Sequence, residues 1–259
     1  MSIPKRIHYC WLSNDPIPGF MQQYIEGWKR LLPEYEFIKW DLNRFDQTVS
    51  PWVREAVEHK KYTFACDYIR IFAVYHYGGI YLDMDVELLK APDELLNRPR
   101  LFAYETPDES RIEAACFGAQ KEDPFLEACL AYYEGRHFVD QNGILDTVPL
   151  SKVMYQVMQK HRIKMDILSW EYFTAKSYAT GIESPGAHTY AIHHFAGSWK
   201  SEKERNTIET ARRIRKAHPI VGKYPAFVYE KMTKVLEILK TGRIRELCVR
   251  IRQYIRNNH

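Results

Sequence analysis

The chain has 259 residues, 46% hydrophobic and 27% charged, with a formal net charge of +4. That length suits one large domain, or a domain with an appendage, and allows a sizeable core. No apolar run approaches the ~20 residues that cross a bilayer, and five scattered cysteines without a C-x-x-C pair argue against a disulfide framework or a structural zinc site. This cysteine usage, with no signal-peptide core after Lys5 and Arg6, sets the expectation of a cytosolic protein.

A first strand is expected over 5–11, ending at Trp11 before a loop rich in Asn, Asp, Pro and Gly. Phe20, Met21, Tyr24, Ile25, Trp28, Leu31 and Leu32 then keep helical spacing until Pro33 interrupts it. A second strand follows over 35–40. Thr63 reads as the N-cap of a helix reaching about Tyr77, with Gly78 as its stop. Gly78-Gly79 supplies a turn tolerant of positive φ, and Ile80-Tyr81-Leu82 reads as a short buried strand. Further strands are expected over 100–105, 113–118 and 187–194, and helices over 124–133 and 151–161. This order favours an α/β sheet with helices packed on it. Ligands of such sheets lie beyond the carboxyl ends of the strands, where Trp11, Trp40-Asp41 and Asp83/Asp85 would gather.

From about Thr207 the pattern turns helical and basic, which divides the chain into a body over 1–206 and an extension over 207–259. Lys200 to His259 holds 16 Lys+Arg against 6 Asp+Glu, leaving 21 basic and 27 acidic residues elsewhere. A basic tail on a mildly acidic body implies an anionic partner, phospholipid head groups or nucleic acid. Near the end, Ile244, Leu247, Cys248, Ile251 and Ile255 share one face and arginines lie largely elsewhere. Such a helix can lie on an anionic membrane or pack on the body with a solvated basic face. No recognised nucleic-acid module accompanies it.

Asp83 and Asp85 follow the end of the Ile80-Tyr81-Leu82 strand. Side chains two apart in an extended segment point the same way, so the pair can converge on a divalent cation with hard oxygen ligands. A cation there is what a diphosphate leaving group needs as charge builds on its oxygens. The plainer alternative is two exposed aspartates that end a strand. On the preceding helix Asp67 and Arg70, three apart, share a face. They can grip sugar hydroxyls, or form a solvated ion pair worth tenths of a kcal/mol.

Ile3-Pro4-Lys5-Arg6-Ile7-His8-Tyr9-Cys10-Trp11 resembles the opening of glycosyltransferase family 32. Cys66-Asp67-Tyr68-Ile69-Arg70 and Gly78-Gly79-Ile80-Tyr81-Leu82-Asp83-Met84-Asp85 resemble that family's DxD core, and a late motif at 193–199 joins them in order. The resemblance implies a GT-A, Rossmann-like fold with Mn²⁺ (or Mg²⁺) and a nucleotide-sugar donor, and transfer with retention. It implies that Trp11 stacks on the base, a part its flat ring suits. By the same resemblance Asp67 and Arg70 hold the sugar, Asp83 contacts ribose, sugar or metal, and Asp85 ligates the metal directly, with Tyr81 in the same pocket. By analogy with the related family 8, His194 is the expected third ligand, with His193 pointing away. Ser198, Trp199 or Lys200 is expected to reach the diphosphate. Many relatives carry an asparagine where this chain reads Glu113 to Gly118, a departure that bears on which sugar is taken. Glu105 and Glu113 are candidate pocket residues with no role assigned, so a front-face mechanism requires the fewest protein groups.

The expected activity is therefore transfer of a hexose from a UDP-sugar, of galactose or glucose type, to a glycan acceptor of capsular or lipopolysaccharide kind. The acceptor would hang on a lipid at the inner face of the cell membrane. The alternatives are a GDP-mannose-dependent mannosyltransferase, a metal-dependent phosphohydrolase of nucleotide sugars, and a non-catalytic membrane- or nucleic-acid-binding protein acting through its tail.

Overall fold

The computed structural model describes residues 2–197, 200 and 202–217. They fall into two compact units. The larger, Met1–Lys176 with Glu183–Ala196, contains β1 (Arg6–Cys10), α1 (Gly19–Leu31), β2 (Glu36–Trp40), α2 (Pro51–Glu58), α3 (Tyr62–Tyr77), β3 (Gly79–Leu82) and β4 (Val86–Leu88). It continues with β5 (Arg100–Leu101), β6 (Cys116–Ala119), α4 (Pro124–Ala131), α5 (Leu150–Lys160) and β7 (Ala191–His193). In the other unit, α6 (Glu202–Ala217) carries Arg212, whose Nε donates to the Tyr178 carbonyl at 2.9 Å. The helix expected to carry Ile244, Leu247 and Ile251 lies outside the described residues, as do Ser198 and Trp199.

Five strands form one mixed sheet in the order β2-β1-β3-β6-β5. β1 is parallel to both β2 and β3, whereas β6 is antiparallel to β3 and to β5. The α/β architecture expected from the element order is thus present. Alternation along the strands supplies two apolar faces. Ile7, Ile80 and Leu82 face Met21, Ile25 and Trp28 of α1. Cys10, Tyr81 and Phe117 face the other way, with Ile69, Ala73 and Val74 of α3. A sheet covered on both sides leaves only its ends open for a site.

The turn into β3 depends on two glycines. Gly78 stops α3 with φ 64°, and its N–H donates to the Val74 carbonyl at 2.8 Å. Gly79 has φ 114°, and a Cβ there would meet the Arg6 carbonyl oxygen at 2.6 Å, so the strands approach too closely for a side chain. His8 fastens the same turn from inside: its Nδ1 accepts the Trp40 indole N–H at 3.0 Å, leaving Nε2 to donate to the Gly78 carbonyl at 2.9 Å.

Several expectations need correction. Thr63 does not cap α3; the N-cap is Lys61, which makes no side-chain capping bond, and Thr63 lies inside the helix. The strands over 100–105 and 187–194 shrink to Arg100–Leu101 and Ala191–His193, with isolated bridges at Ala103 and Tyr104 carrying the chain on. The late basic helix starts at Glu202, ahead of Thr207. Two elements escape sequence reading. In α2, Ser50 accepts from the Val53 N–H and Pro51 occupies the first turn, a start signal that was there to read. β4 is three residues long and pairs antiparallel with β7 as a separate two-stranded sheet, which no local pattern discloses.

Candidate functional site

β3 delivers Asp83 and Asp85 beyond its carboxyl end, next to the parallel strand β1 that delivers Trp11 to the same edge. The Asp83 N–H bonds to the Ala115 carbonyl, which holds the start of the turn against the chain entering β6. Asp83 is tightly held: Tyr81 donates its hydroxyl to Oδ1 at 2.7 Å, and Arg70 donates to Oδ2 at 3.1 Å. Burial raises its pKa, opposed by the Arg70 charge. Asp85 accepts the Ala196 N–H on Oδ2 at 2.8 Å, and its Oδ1 lies 3.8 Å from Nε2 of His193.

Among the described residues, one donor atom each from Asp83, Asp85 and His193 lie within 4.8 Å of one another. Ligands at ~2–2.5 Å from one ion have about that mutual spread, and two carboxylates with an imidazole suit a hard-to-borderline divalent cation such as Mn²⁺. The donor set fits the metal that the DxD resemblance implies.

The expected third member of this group is His194, with His193 turned away; the structure reverses them. β7 pairs with β4 so that His193 stands opposite Val86, one residue past Asp85. His194 then donates its own N–H to the Asp85 carbonyl and swings its ring aside. There Nε2 donates to Glu87 at 2.8 Å, Nδ1 accepts from Lys176 at 3.3 Å, and the ring stacks on Tyr24 at 5.1 Å. Both of its nitrogens are engaged away from the aspartates. Burial lowers the His193 pKa, but Glu113, Asp85 and Asp83 overcome it and hold the group at about 9.

Asp67 and Arg70 pair with each other at 3.3 Å, the alternative to gripping sugar hydroxyls, and the pair is buried rather than solvated. Burial lifts Asp67 to about 7, against the pull of Arg70. Arg70 also bonds the Ala114 carbonyl at 2.9 Å and the Cys66 carbonyl at 3.3 Å, and its guanidinium lies 4.8 Å over the Tyr81 ring. Its fork is largely committed to the protein, so its first effect is to orient Asp83. Tyr81 is likewise buried and bears on the site through its bond to Asp83. The Trp11 ring is half-buried, with its indole N–H bonded to the Asp15 carbonyl at 2.7 Å. The positions of Ser198 and Trp199 fall outside the described residues.

Sequence reasoning assigned no role to Glu113, which proves central to the site. It is fully buried, and its Oε2 receives His193 Nδ1 at 3.2 Å. Burial pushes its pKa up, but His193, Thr174 and the Ala115 N–H bring it below the ordinary value. Glu105, lifted to about 7 by burial and by Glu113, accepts from the Ser151 hydroxyl at 3.3 Å. Only the fold brings residues 113 and 193 together; no local spacing signals it.

Residues 18–102 match the family described as "Glycosyltransferase sugar-binding region containing DXD motif", a stretch that holds Asp67, Arg70, Asp83 and Asp85. Inositol phosphoceramide mannosyltransferase 3 of Schizosaccharomyces pombe is 33% identical over 132 residues, 48% of this chain and 35% of its own length. Mannosyl phosphorylinositol ceramide synthase SUR1 of Saccharomyces cerevisiae is 29% identical over 190 residues, 68% of this chain and 49% of its own length. The chain thus spans about half or less of these relatives. The solved PaToxG glycosyltransferase aligns with a TM-score of 0.49 and 15% identity, over 62% of this chain and 70% of its own.

Proposed function

We propose that this chain is a metal-dependent glycosyltransferase that transfers mannose from GDP-mannose to a hydroxyl on a lipid-borne acceptor. The observation that carries the reading is the Asp83/Asp85/His193 cluster at the carboxyl end of β3, whose two aspartates lie inside the stretch matching a DXD sugar-binding region. From the sequence, a UDP-hexose comes first and GDP-mannose second. Two similar proteins, an inositol phosphoceramide mannosyltransferase and a mannosyl phosphorylinositol ceramide synthase, support the reverse order.

Asp83, Asp85 and His193 would hold the cation, whose charge offsets that developing on the diphosphate as it leaves. Arg70 and Tyr81 keep Asp83 in place, so little reorganisation is needed when the donor binds. Trp11, at the same sheet edge, offers a flat face to the base. Glu113 is fully buried with both oxygens bonded, so it is not free to attack the sugar. With that carboxylate engaged, a front-face, retaining transfer is the mechanism these residues favour. No helix among the described residues is long and apolar enough to cross a membrane. We assign the reaction to the cytosolic face of a membrane, where Arg212, Arg213, Arg215 and Lys216 of α6 would favour anionic lipid.

Thermal unfolding with Mn²⁺ and either GDP or UDP tests the donor, because a ligand of the folded state raises its apparent stability. GDP should raise the Tm more than UDP, and Asp85→Ala should remove the metal-dependent part of the gain while folding normally. A larger shift with UDP would return the donor to the UDP-sugars. An undiminished shift in Asp85→Ala would end the metal assignment. Rapid hydrolysis of GDP-mannose without an acceptor would mark a phosphohydrolase instead.

A further inference from the structure

We propose that Glu113 is a positioning residue, holding His193 in the tautomer and orientation that turn Nε2 toward Asp83 and Asp85. This rests on reading that cluster as a metal site. A carboxylate with no exposed surface is tolerated only where partners satisfy it, and Glu113 is fully satisfied. Oε1 accepts the Ala115 N–H at 2.7 Å, while Oε2 accepts the Thr174 hydroxyl at 2.6 Å and His193 Nδ1 at 3.2 Å. The chain entering β6, the loop at Thr174 and the end of β7 all meet on this one side chain. The Thr174 carbonyl also accepts the His193 backbone N–H at 3.1 Å, and the Phe195 ring lies 3.9 Å from the imidazole. The ring is therefore held at one edge and over one face.

A carboxylate can only accept, so it places a proton on Nδ1. In the neutral ring, a proton on Nδ1 leaves Nε2 with its lone pair on the side of Asp85. Imidazoles that ligate metals commonly give their other N–H to such a partner, and losing it lowers metal affinity 10–100-fold.

Glu113→Gln is nearly isosteric and tests the role. Its amide oxygen takes the Ala115 N–H, which leaves the NH₂ group facing Thr174 and His193. That NH₂ donates to Nδ1 and moves the proton to Nε2, the atom needed for ligation. Mn²⁺ alone, titrated by EPR at a temperature where both proteins are folded, should bind Glu113→Gln about 10–100-fold more weakly than the parent. Unchanged Mn²⁺ affinity in the variant would overturn the role of Glu113 alone. A parent that binds no Mn²⁺ would overturn the metal site as well. Should Glu113→Gln not fold, ¹⁵N NMR of the parent loaded with Zn²⁺ decides, with His193→Gln assigning the signal. A protonated Nδ1 and a metal-bound Nε2 are expected, and the opposite arrangement refutes the proposal.

Discussion

Arg70 shows how far one side chain in this site acts through others. Its guanidinium joins Asp67, Asp83 and two carbonyls in a buried setting. Removing one member of such a network leaves charge buried without a partner, at a cost of about 3–5 kcal/mol. Arg70→Ala should lose about that much in urea unfolding, and Arg70→Lys should recover little of it, since an ammonium cannot reproduce a planar fork. A loss under about 0.5 kcal/mol in either variant would mean the surrounding acceptors have found water instead. The pair itself was legible, because a spacing of three on a helix brings side chains together. Its burial was not, since that depends on α4, α5 and β6 closing around α3.

At the level of elements, the turn between α3 and β3 was readable to the residue. Gly78-Gly79 after an apolar helix calls for positive φ, and both residues have it. Gly79→Ala would force a Cβ into contact with the Arg6 carbonyl and strain the β1–β3 pairing. It should cost about 1–3 kcal/mol and weaken nucleotide-dependent stabilisation, measured by the same thermal shifts. Parent-like stability would show that the strands can separate freely. The two-stranded sheet of β4 and β7 was not readable. Each strand has three residues, too few for periodicity to register, and their pairing joins distant parts of the chain. Which of the adjacent histidines faces Asp85 depends on the register of this pairing, and the sequence does not carry that register.

At the scale of the whole molecule, stability should follow the protonation of His8. Burial lowers its pKa to about 4, and the imidazole ties β1, β2 and the Gly78 turn together. With an unfolded value near 6.5, its contribution is complete above that pH and fades as pH falls through 4. The parent's stability advantage over His8→Gln should therefore shrink by up to about 3 kcal/mol between pH 7 and pH 4. A pH-independent difference between the two proteins would place the acid sensitivity elsewhere. The pairing of Val86 with His193 has a temporal consequence as well. In a nascent polypeptide leaving the ribosome, the acidic pair emerges long before the imidazole. The main sheet can collapse first, and the last ribbon to zip up is the one that completes the centre. A polypeptide cut short before that ribbon would hold both aspartates without the imidazole that stands beside them in the complete fold.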